Sequence, residues 1–407
     1  MGYKRDISWL SELTTTIDPS FDVVARSLVA AEIESVGASS SSITNFVLGV
    51  MRLCALAKNG HTRAIPNEVV GVAPMRFVWF SDGPYVVEAK GRYSDFVGSA
   101  LVGVNGEDIS AVFKNFAPWL AGTAQRQTVI GAMLFAWPQG LATLLGLGRT
   151  ASAELSFRLP DGRIQEHALT KTQTIPATQL YPIREPGVIA KIIQGNGLAT
   201  DTEVARFGRY CLPIYGKPIH YIRLGDFQDS QKLQLSNDLS RIQKQLVSTP
   251  MSAAILDLRG NPGGNFLLTV DFCKRFSELL SPPASSVILV DRFTFSAAIV
   301  AVALMRVHAN PMPLIFGEEM GDQTRFFAEG DTTILPESRL PIRYSTGYHD
   351  WLHGVPHTTL TPKVIADAMV AAGSLKPDRA IPFSGLDFFS GKDSTLTAAV
   401  SYLEQSI

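Results

Sequence analysis

The stretch ILDLRGNPGGN at residues 255–265 decides the fold of this chain. A hydrophobic run that ends in Asp-Leu-Arg indicates a buried strand, and the Asp and Arg suit a structural ion pair at its end. The glycines that follow free backbone N–H groups to face a ligand. A turn of this kind can hold an oxyanion, so we expect Gly263 or Gly264 to donate an amide to developing negative charge.

The segment FTFSAA at residues 293–298 supplies a candidate nucleophile. It follows an apolar run at residues 287–290 and comes directly before a long helical pattern at residues 297–307. A serine at a strand-to-helix turn is well placed for nucleophilic attack, since the helix N-terminus favours negative charge. We therefore predict Ser296 as the nucleophile and the amide of Ala297 as a second oxyanion donor.

Together these segments resemble the signature of the carboxy-terminal processing (tail-specific) serine peptidases and their tricorn-core relatives, peptidase family S41. Weaker matches extend the resemblance to the stretch Asn59-Gly60-His61-Thr62 and to residues 316–321 and 344–348. The resemblance spans the chain from about residue 45 to its end. It implies a serine endopeptidase that cleaves unstructured polypeptides or protein tails through an acyl-enzyme.

A serine hydroxyl requires a base within ~2.6–3.2 Å to take its proton. One branch of the family uses a lysine about 25 residues downstream, but residues 317–327 contain only Arg325, which stays protonated. The lysine solution is thereby excluded. The tricorn-like branch uses a histidine from far upstream, and His61 fits that position.

Six other histidines compete for the role of base. His308 ends the predicted helix after Ser296, where it suits the helix C-terminus. Three others cluster at residues 349–357, which we interpret as a loop bordering the cleft rather than a metal site, because no Glu or Cys joins them. His167 and His220 lie in predicted strands.

A carboxylate that orients the base is the most open assignment. The resemblance places an acid downstream of the nucleophile, which makes Asp350 the first candidate, with Glu318 and Glu329 as alternatives. The tricorn pattern also has a serine before the histidine, where this chain has Gly60. A full catalytic tetrad therefore stays in question.

Composition limits the other possibilities. The chain has 407 residues with 46% hydrophobic content, enough for two or three domains. A net charge of -1 gives no support for a nucleic-acid or anionic-membrane partner. The three cysteines, Cys54, Cys211 and Cys273, are scattered among apolar residues and are predicted to be core thiols. We expect no metal and no cofactor, and we leave the oligomeric state open.

The sequence does not fix the compartment. No apolar run approaches the ~20 residues of a membrane span, and the polar start at residues 2–6 is not a signal peptide. The resemblance suggests a periplasmic or secreted protein.

Periodicity predicts three segments. Residues 1–66 form an N-terminal helical region, with helices at 21–36 and 43–57, that carries His61. Residues 67–175 form a strand-rich segment that resembles a PDZ-like module, which would engage or gate substrate by strand addition. Residues 176–407 form the catalytic domain.

The catalytic segment alternates strands and helices in the manner of an α/β domain. The predicted strands are at residues 221–224, 255–258, 287–290 and 314–316, and the predicted helices at 230–247, 266–280 and 297–307. The resemblance implies a ClpP/crotonase-like spiral for this part, and the chain as a whole is α/β (α+β overall).

Two function classes follow. The first is the serine endopeptidase. The second is a non-catalytic ligand- or peptide-binding protein on the same scaffold, since a fold does not certify an activity. Retention of the serine, the glycines and the histidine favours the enzyme.

Overall fold

The computed structural model describes residues 2–147, 152–170, 174–176, 208–214, 216–229, 234–280 and 284–406. The chain forms two compact units. Unit 1 comprises Met1–Ile183 and Phe327–Tyr348, and unit 2 comprises Arg184–Phe326 and His349–Ile407. The three-segment division stays a prediction, and residues 327–348 of its third segment lie in unit 1.

The described residues form both helices and strands. The helices are α1 Lys4–Glu12, α2 Arg26–Ala38, α3 Ile43–Ala55, α4 Ile109–Phe116, α5 Ala124–Gly131, α6 Pro138–Leu144, α7 Leu235–Ser248, α8 Val270–Arg275, α9 Ala297–His308, α10 Lys363–Ala368, α11 Gly385–Ser390 and α12 Ser394–Ser406. The strands are β1 Arg63–Ala64, β2 Gly71–Val72, β3 Met75–Phe80, β4 Gly83–Ala89, β5 Ala100–Val104, β6 Glu107–Asp108, β7 Ala153–Arg158, β8 Ile164–Leu169, β9 Ile175–Pro176, β10 Arg209–Pro213, β11 Ile219–Leu224, β12 Ala253–Asp257, β13 Ser285–Val290, β14 Leu314–Gly317, β15 Arg325–Ala328, β16 Thr332–Ile334, β17 Pro341–Arg343, β18 Gly347–Asp350 and β19 Arg379–Ala380.

Unit 1 contains an antiparallel sheet in the order β3-β4-β5-β7-β8, with β6 paired to β5. Its core is aromatic: Phe77 stacks on Phe157 with ring centroids 6.3 Å apart and meets Phe135 edge-on at 6.1 Å. A second sheet, β1-β17-β16, joins the early strand β1 to residues 332–343. Unit 1 is therefore completed by a segment far along the chain.

Unit 2 is built on a six-stranded sheet in the order β10-β11-β12-β13-β14-β19. Strands β11 to β14 and β19 are parallel, and β10 is an antiparallel edge strand. Every residue of β12 is buried, as expected for a parallel strand covered on both faces. Asp257 lies opposite Leu289, so the loops that leave β12 and β13 start at the same edge of the sheet.

The helix α9 follows the second of these loops. Nine of its residues are buried, from Ala297 to Met305 in an unbroken run. A helix that is apolar on all sides must lie inside the domain, because no polar face remains for water. Its N-terminus is thereby held rigidly at the edge where the two loops begin.

Two predicted helices differ from the structure. The helix predicted at residues 21–36 begins only at Arg26, because Asp18 caps a short 3-10 turn, Pro19–Phe21, with a 2.9 Å bond from the Ser20 amide. The helix predicted at 266–280 is broken into Phe266–Thr269, α8 and Phe276–Leu279, the outer two being 3-10 turns. The predicted start of another helix at Ser230 lies outside the described residues.

The predicted fold class, mixed α/β, is confirmed by this architecture. The predicted strands of unit 2 all occur within two residues of their expected bounds. Among the helices that the structure describes, none combines the length and the apolar character needed to cross a bilayer.

Candidate active site

A buried ion-pair network holds the Asp-Leu-Arg end of β12. The Asp257 carboxylate accepts hydrogen bonds from the Tyr221 hydroxyl at 2.7 Å, from Arg223 at 3.0 Å and from Nε and Nη2 of Arg259 at 3.0 and 2.6 Å. Burial alone would raise the pKa of Asp257, but the two arginines outweigh burial and lower this pKa to about 2. The network fixes the point where the glycine-rich loop begins.

Arg259 also binds the start of the C-terminal helix. Its Nη1 and Nη2 donate to the two carboxylate oxygens of Asp393 at 2.7 and 2.8 Å. Asp393 in turn accepts a bond from the amide of Leu396 in the first turn of α12, at 2.9 Å. A paired, bidentate geometry of this kind is the form in which buried arginine is best satisfied. The loop is therefore anchored to α12 as well as to the sheet.

Asn261 pins the loop at residues 260–264. Its side chain is fully buried, donates from Nδ2 to the Leu224 carbonyl at 2.9 Å and accepts the Gly263 amide at Oδ1 at 2.8 Å. Its own carbonyl accepts the Phe295 amide at 3.0 Å. The loop is thus joined both to the end of β11 and to the turn that carries Ser296.

Ser296 has an unusual backbone conformation. It is the residue directly before α9, with φ 55° and ψ −124°. A residue with a side chain rarely adopts positive φ, and holding it there costs ~1–3 kcal/mol. Such strain at a strand-to-helix turn is the geometry of a nucleophile elbow, which lifts the hydroxyl out of the sheet edge. Ser296 is half-buried.

The expected oxyanion residues lie around this turn. Gly263 is so close that an added Cβ would be 2.8 Å from Cβ of Ser296 and 2.9 Å from the amide nitrogen of Ala297. The Gly263 amide is already bonded to Asn261. The amides of Gly264 and Ala297, by contrast, make no hydrogen bond to any residue that the structure describes. Ala297 is the first residue of α9, where the helix leaves its amides open.

Gly264 also has no room for a side chain. An added Cβ would lie 2.3 Å from the carbonyl oxygen of Phe227, and its φ is +140°. Phe227 pairs with the loop through bonds from its own amide to the Gly263 carbonyl and from the Asn265 amide to its carbonyl. Glycine is therefore required here by both backbone angle and space.

His61 lies in unit 1, in the turn between α3 and β1, and is 5% exposed. The next residue, Thr62, is fixed by several bonds: its hydroxyl donates to Asp18 at 2.6 Å and lies 3.0 Å from Nδ2 of Asn59. Ser345 completes this cluster, donating its amide to Asp18 at 2.9 Å and accepting from Asn59 at 2.9 Å. The Gly-His-Thr and Tyr-Ser-Thr segments singled out in the sequence are thus neighbours.

Asp350, in unit 2, is bonded to a histidine three residues on. One carboxylate oxygen accepts the His353 amide at 2.9 Å and the other lies 3.0 Å from His353 Nδ1. Burial raises the pKa of Asp350, but the bonds from His353 outweigh burial and lower it overall. Asp350 is 7% exposed and thus an ordered carboxylate.

The alternative acids have other surroundings. Glu318 forms a two-pronged ion pair with Arg292, with bonds of 2.7 and 3.0 Å. Glu329 is exposed and has φ 60°, and its carbonyl accepts a bond from Arg343 at 2.8 Å. Glu318 is therefore held by an arginine, and the side chain of Glu329 faces solvent.

The histidines at residues 349–357 have separate surroundings. His349 is buried, with its ring stacked on Phe326 at 4.9 Å and its Nδ1 accepting from Trp351 at 3.1 Å. His353 binds Asp350, as described. Within the described ranges, no three His, Cys, Asp or Glu side chains come together as metal ligands.

The three cysteines are buried. Burial raises the pKa of each thiol to about 12, so none is a nucleophile at neutral pH. Cys211 lies 3.5 Å from Nδ1 of His220, whose Nε2 is 2.7 Å from the Thr249 carbonyl. Cys211 lies in the edge strand β10 and His220 in the neighbouring strand β11.

Three residues of this region were not singled out from the sequence: Asn261, Asp291 and Asp393. Asn261 is part of the signature, and its position in a loop that must bind its own backbone is a usable signal, because Asn side chains commonly do so. Asp291 directly follows an apolar strand. Asp257 stands at the end of another apolar strand, so the two residues share one sequence pattern. Asp393 precedes α12 as a helix cap, but its partner Arg259 is 134 residues away and no local pattern indicates the pairing.

The chain is similar to a known protein family and to solved structures. Residues 218–281 match the model of peptidase family S41. No curated protein sequence matches the chain. Among solved structures, mature CPAF superposes with a TM-score of 0.59 at 13% identity, covering 99% of this chain and 96% of that chain.

Two further structures complete the comparison. Mature CPAF complexed with lactacystin gives a TM-score of 0.55 at 13% identity over 99% of this chain and 97% of that one. The photosystem II D1 C-terminal processing protease gives 0.42 at 13% identity over 94% and 93%. At these identities the CPAF structures show a shared fold.

Proposed function

We propose that this protein is a serine endopeptidase of unstructured polypeptides or protein tails, since residues 218–281 match the model of peptidase family S41, a family of serine-type peptidases. The observation that carries the proposal is the strained Ser296, set at the start of α9 and in contact with Gly263. A serine held at positive φ costs free energy, and two open amides beside its hydroxyl are the donors that an acyl-transfer site needs.

The reaction follows from these groups. Ser296 Oγ attacks the scissile carbonyl while His61 takes its proton, so a C–O bond forms and the carbonyl oxygen becomes an oxyanion. The amides of Gly264 and Ala297 stabilise that oxyanion, each worth roughly 2.7–4 kcal/mol. The C–N bond then breaks as His61 returns the proton to the leaving amine. Water hydrolyses the acyl-enzyme by the same steps and restores the serine.

Asp350 is our candidate for the acid that orients His61. A partly desolvated carboxylate that already binds an imidazole nitrogen has the chemistry for this role. No metal or cofactor enters the scheme, because nucleophile, base and oxyanion donors are all supplied by the chain.

The strand-rich segment at residues 67–175 would recruit the substrate. Among the described residues, its sheet ends at β3 on one side and at β8 on the other. Five of the six residues of β3 are buried, whereas only Leu169 is buried in β8. β8 is therefore the edge more open to an added peptide strand. Hydrogen exchange of the Ser296→Ala protein with an unstructured polypeptide checks this: the amides of β8 should gain protection, and protection elsewhere in the sheet alone would contradict it.

Labelling by a fluorophosphonate, together with cleavage of casein, tests the function. The parent should be labelled at Ser296 and should degrade casein, and Ser296→Ala should lose both while keeping its thermal unfolding temperature. Ser248→Ala is the matched control, because Ser248 is an exposed hydroxyl of α7 in the same unit. A folded parent that neither labels nor cleaves would instead support a non-catalytic binding protein.

A further inference from the structure

Asp291 lies five residues before Ser296, directly after β13, and its carboxylate collects backbone amides from two loops. Oδ1 accepts the amides of Phe293 at 3.0 Å and Thr294 at 2.9 Å, both in the turn that leads to the nucleophile. Both carboxylate oxygens accept the Gly260 amide, at 3.0 and 3.1 Å, and Gly260 begins the glycine-rich loop. A single side chain thus bonds to both halves of the candidate site.

Thr294 reinforces this junction. Its hydroxyl donates to the Leu258 carbonyl at 2.9 Å, accepts the Asp291 amide at 3.0 Å and lies 3.2 Å from Asp291 Oδ1. Thr294 is fully buried. The two loops are therefore linked at their bases by a set of hydrogen bonds in which the Asp291 carboxylate accepts the backbone amides of both loops.

The Asp291 junction and the Asn261 junction hold residues that closely precede the two oxyanion amides in sequence. Asp291 binds the loop at Gly260, and Asn261 binds the Gly263 amide and the Phe295 amide. Between them they leave open the amides of Gly264 and Ala297, as described above. A shift of Gly260 would move Gly264 relative to Ala297, and a misplacement of about 1 Å at such a site can cost 10²-fold in rate.

We propose that Asp291 is a positioning residue that holds the loop at residues 260–264 in a fixed place relative to Ser296, so that the amides of Gly264 and Ala297 can both donate to one oxygen. Asp291 does not touch the reacting atoms in this role. The proposal rests on the proposed function, because it requires that Ser296 is the nucleophile. It assigns to the carboxylate an effect on the transition state rather than on substrate binding.

The test compares Asp291→Ala and Asp291→Asn in the full chain, with casein-derived peptide hydrolysis and inhibition by a peptide boronic acid as readouts. A boronate adduct on serine places an oxygen in the oxyanion site, so its affinity reports that site directly. Asp291→Ala should lower kcat about 10²-fold with KM changed less than about threefold, and should weaken boronate binding by the same factor as kcat/KM falls. A merely structural role would not link those two losses.

Asp291→Asn keeps Oδ1 but turns Oδ2 into a donor facing the Gly260 amide. It should therefore lose about tenfold in both kcat and boronate affinity, less than the alanine variant. Asp271→Ala is the control, because Asp271 is an exposed carboxylate of α8 with a weak ion pair to Arg275. It should match the parent in every readout.

The outcomes separate the two hypotheses. If the parent is active and Ser296→Ala is inactive, but Asp291→Asn has parental kcat and boronate affinity, the inference is overturned and the proposed function stands. A fall in kcat without loss of boronate affinity also overturns it. If Asp291→Ala does not fold, the asparagine variant decides. A parent without labelling or hydrolysis removes the proposed function itself.

Discussion

Gly263 packs directly against Ser296: a methyl group on Gly263 would lie 2.8 Å from the serine Cβ, closer than carbon atoms approach in folded proteins. The contact predicts that Gly263→Ala displaces the nucleophile turn. We expect kcat to fall by at least about 10²-fold while substrate binding changes little, since a displacement of about 1 Å has that cost.

Gly162→Ala is the control for the effect of backbone strain alone. Gly162 has φ +87°, close to the +98° of Gly263, but an added Cβ there meets nothing within 4 Å. Both variants should lose stability in urea unfolding, and only Gly263→Ala should lose activity. Equal activity in the two variants would show that the contact with Ser296 does not matter for catalysis.

The positive φ of Ser296 predicts that the backbone at this position lowers the stability of the folded protein. Ser296→Gly removes the strain, whereas Ser296→Ala keeps it, and both remove the hydroxyl. We therefore expect the glycine variant to be about 1 kcal/mol more stable than the alanine variant, after the entropic cost of glycine in the unfolded chain. Urea unfolding monitored by tryptophan fluorescence measures the difference, and an alanine variant as stable as the glycine variant would contradict a strained elbow.

His61 is expected to act as the general base. His61→Ala should reduce kcat by about 10³–10⁴-fold or more, on the scale of losing a triad member. Parental activity should decline at acidic pH, because a protonated imidazole cannot accept the serine proton. The residual activity of the variant should lack that decline, and an unchanged pH profile would assign the base elsewhere. His308→Ala is the control, because His308 is the last residue of α9, at the opposite end of the helix from Ser296.

Substitutions can separate the role of Asp350 from that of its hydrogen-bond partner His353. Asp350→Asn should lower kcat on the order of 10⁴ if this carboxylate sets the tautomer of His61. His353→Gln removes the observed partner of Asp350 and should have a much smaller effect. If both variants lose the same amount, Asp350 acts only by holding His353 and its loop. Glu318→Gln and Glu329→Gln, measured in parallel, should stay near parental.

The depressed pKa of Asp257 predicts a stability change in acid. Its folded pKa is about 2 against an ordinary 3.8, so the unfolded chain takes up the proton first as the pH falls. The stabilisation is complete above about pH 4 and is lost as the pH falls toward 2, a change of about 2 kcal/mol.

Arg259→Met should flatten this pH dependence, because Arg259 is a principal cause of the lowered pKa. Arg163→Met is the control: the Arg163–Asp161 pair is exposed, and exposed pairs contribute little. Urea unfolding between pH 2 and 5 compares the slopes. An unaltered slope in Arg259→Met would mean that Arg223 and Tyr221 suffice.

The sequence was most informative where structure is local. Apolar runs at 255–258 and 287–290 and the helical pattern after Ser296 correspond closely to β12, β13 and α9, because periodicity and burial act within a few residues. The prediction of one long helix at 266–280 was wrong. The Asn265 side chain caps a separate 3-10 turn at this point, where its Oδ1 accepts the Leu267 amide at 3.1 Å.

The candidate site likewise combines residues that a local sequence pattern reveals with partners that no local pattern reveals. Ser296 and the glycines could be predicted because each lies in a short stretch whose local pattern displays it. The groups that hold them could not, because Asp291 and Gly260 meet across 31 residues and Arg259 and Asp393 across 134. Such pairings depend on the sheet order, which brings the ends of β12 and β13 together, and no local pattern encodes that order.

Residues 327–348 have a consequence for biosynthesis. They supply β17, which pairs with β1, the amides of Glu337 and Ser338 that bind Asp6 at 2.8 Å each, and Ser345 beside Asp18. A ribosome delivers the N-terminus first. Unit 1 therefore cannot acquire its full set of partners until about residue 348 has emerged, by which time most of unit 2 has already been translated. A nascent chain stopped near residue 183 would carry an unfinished edge at β1, a target for chaperones and proteases.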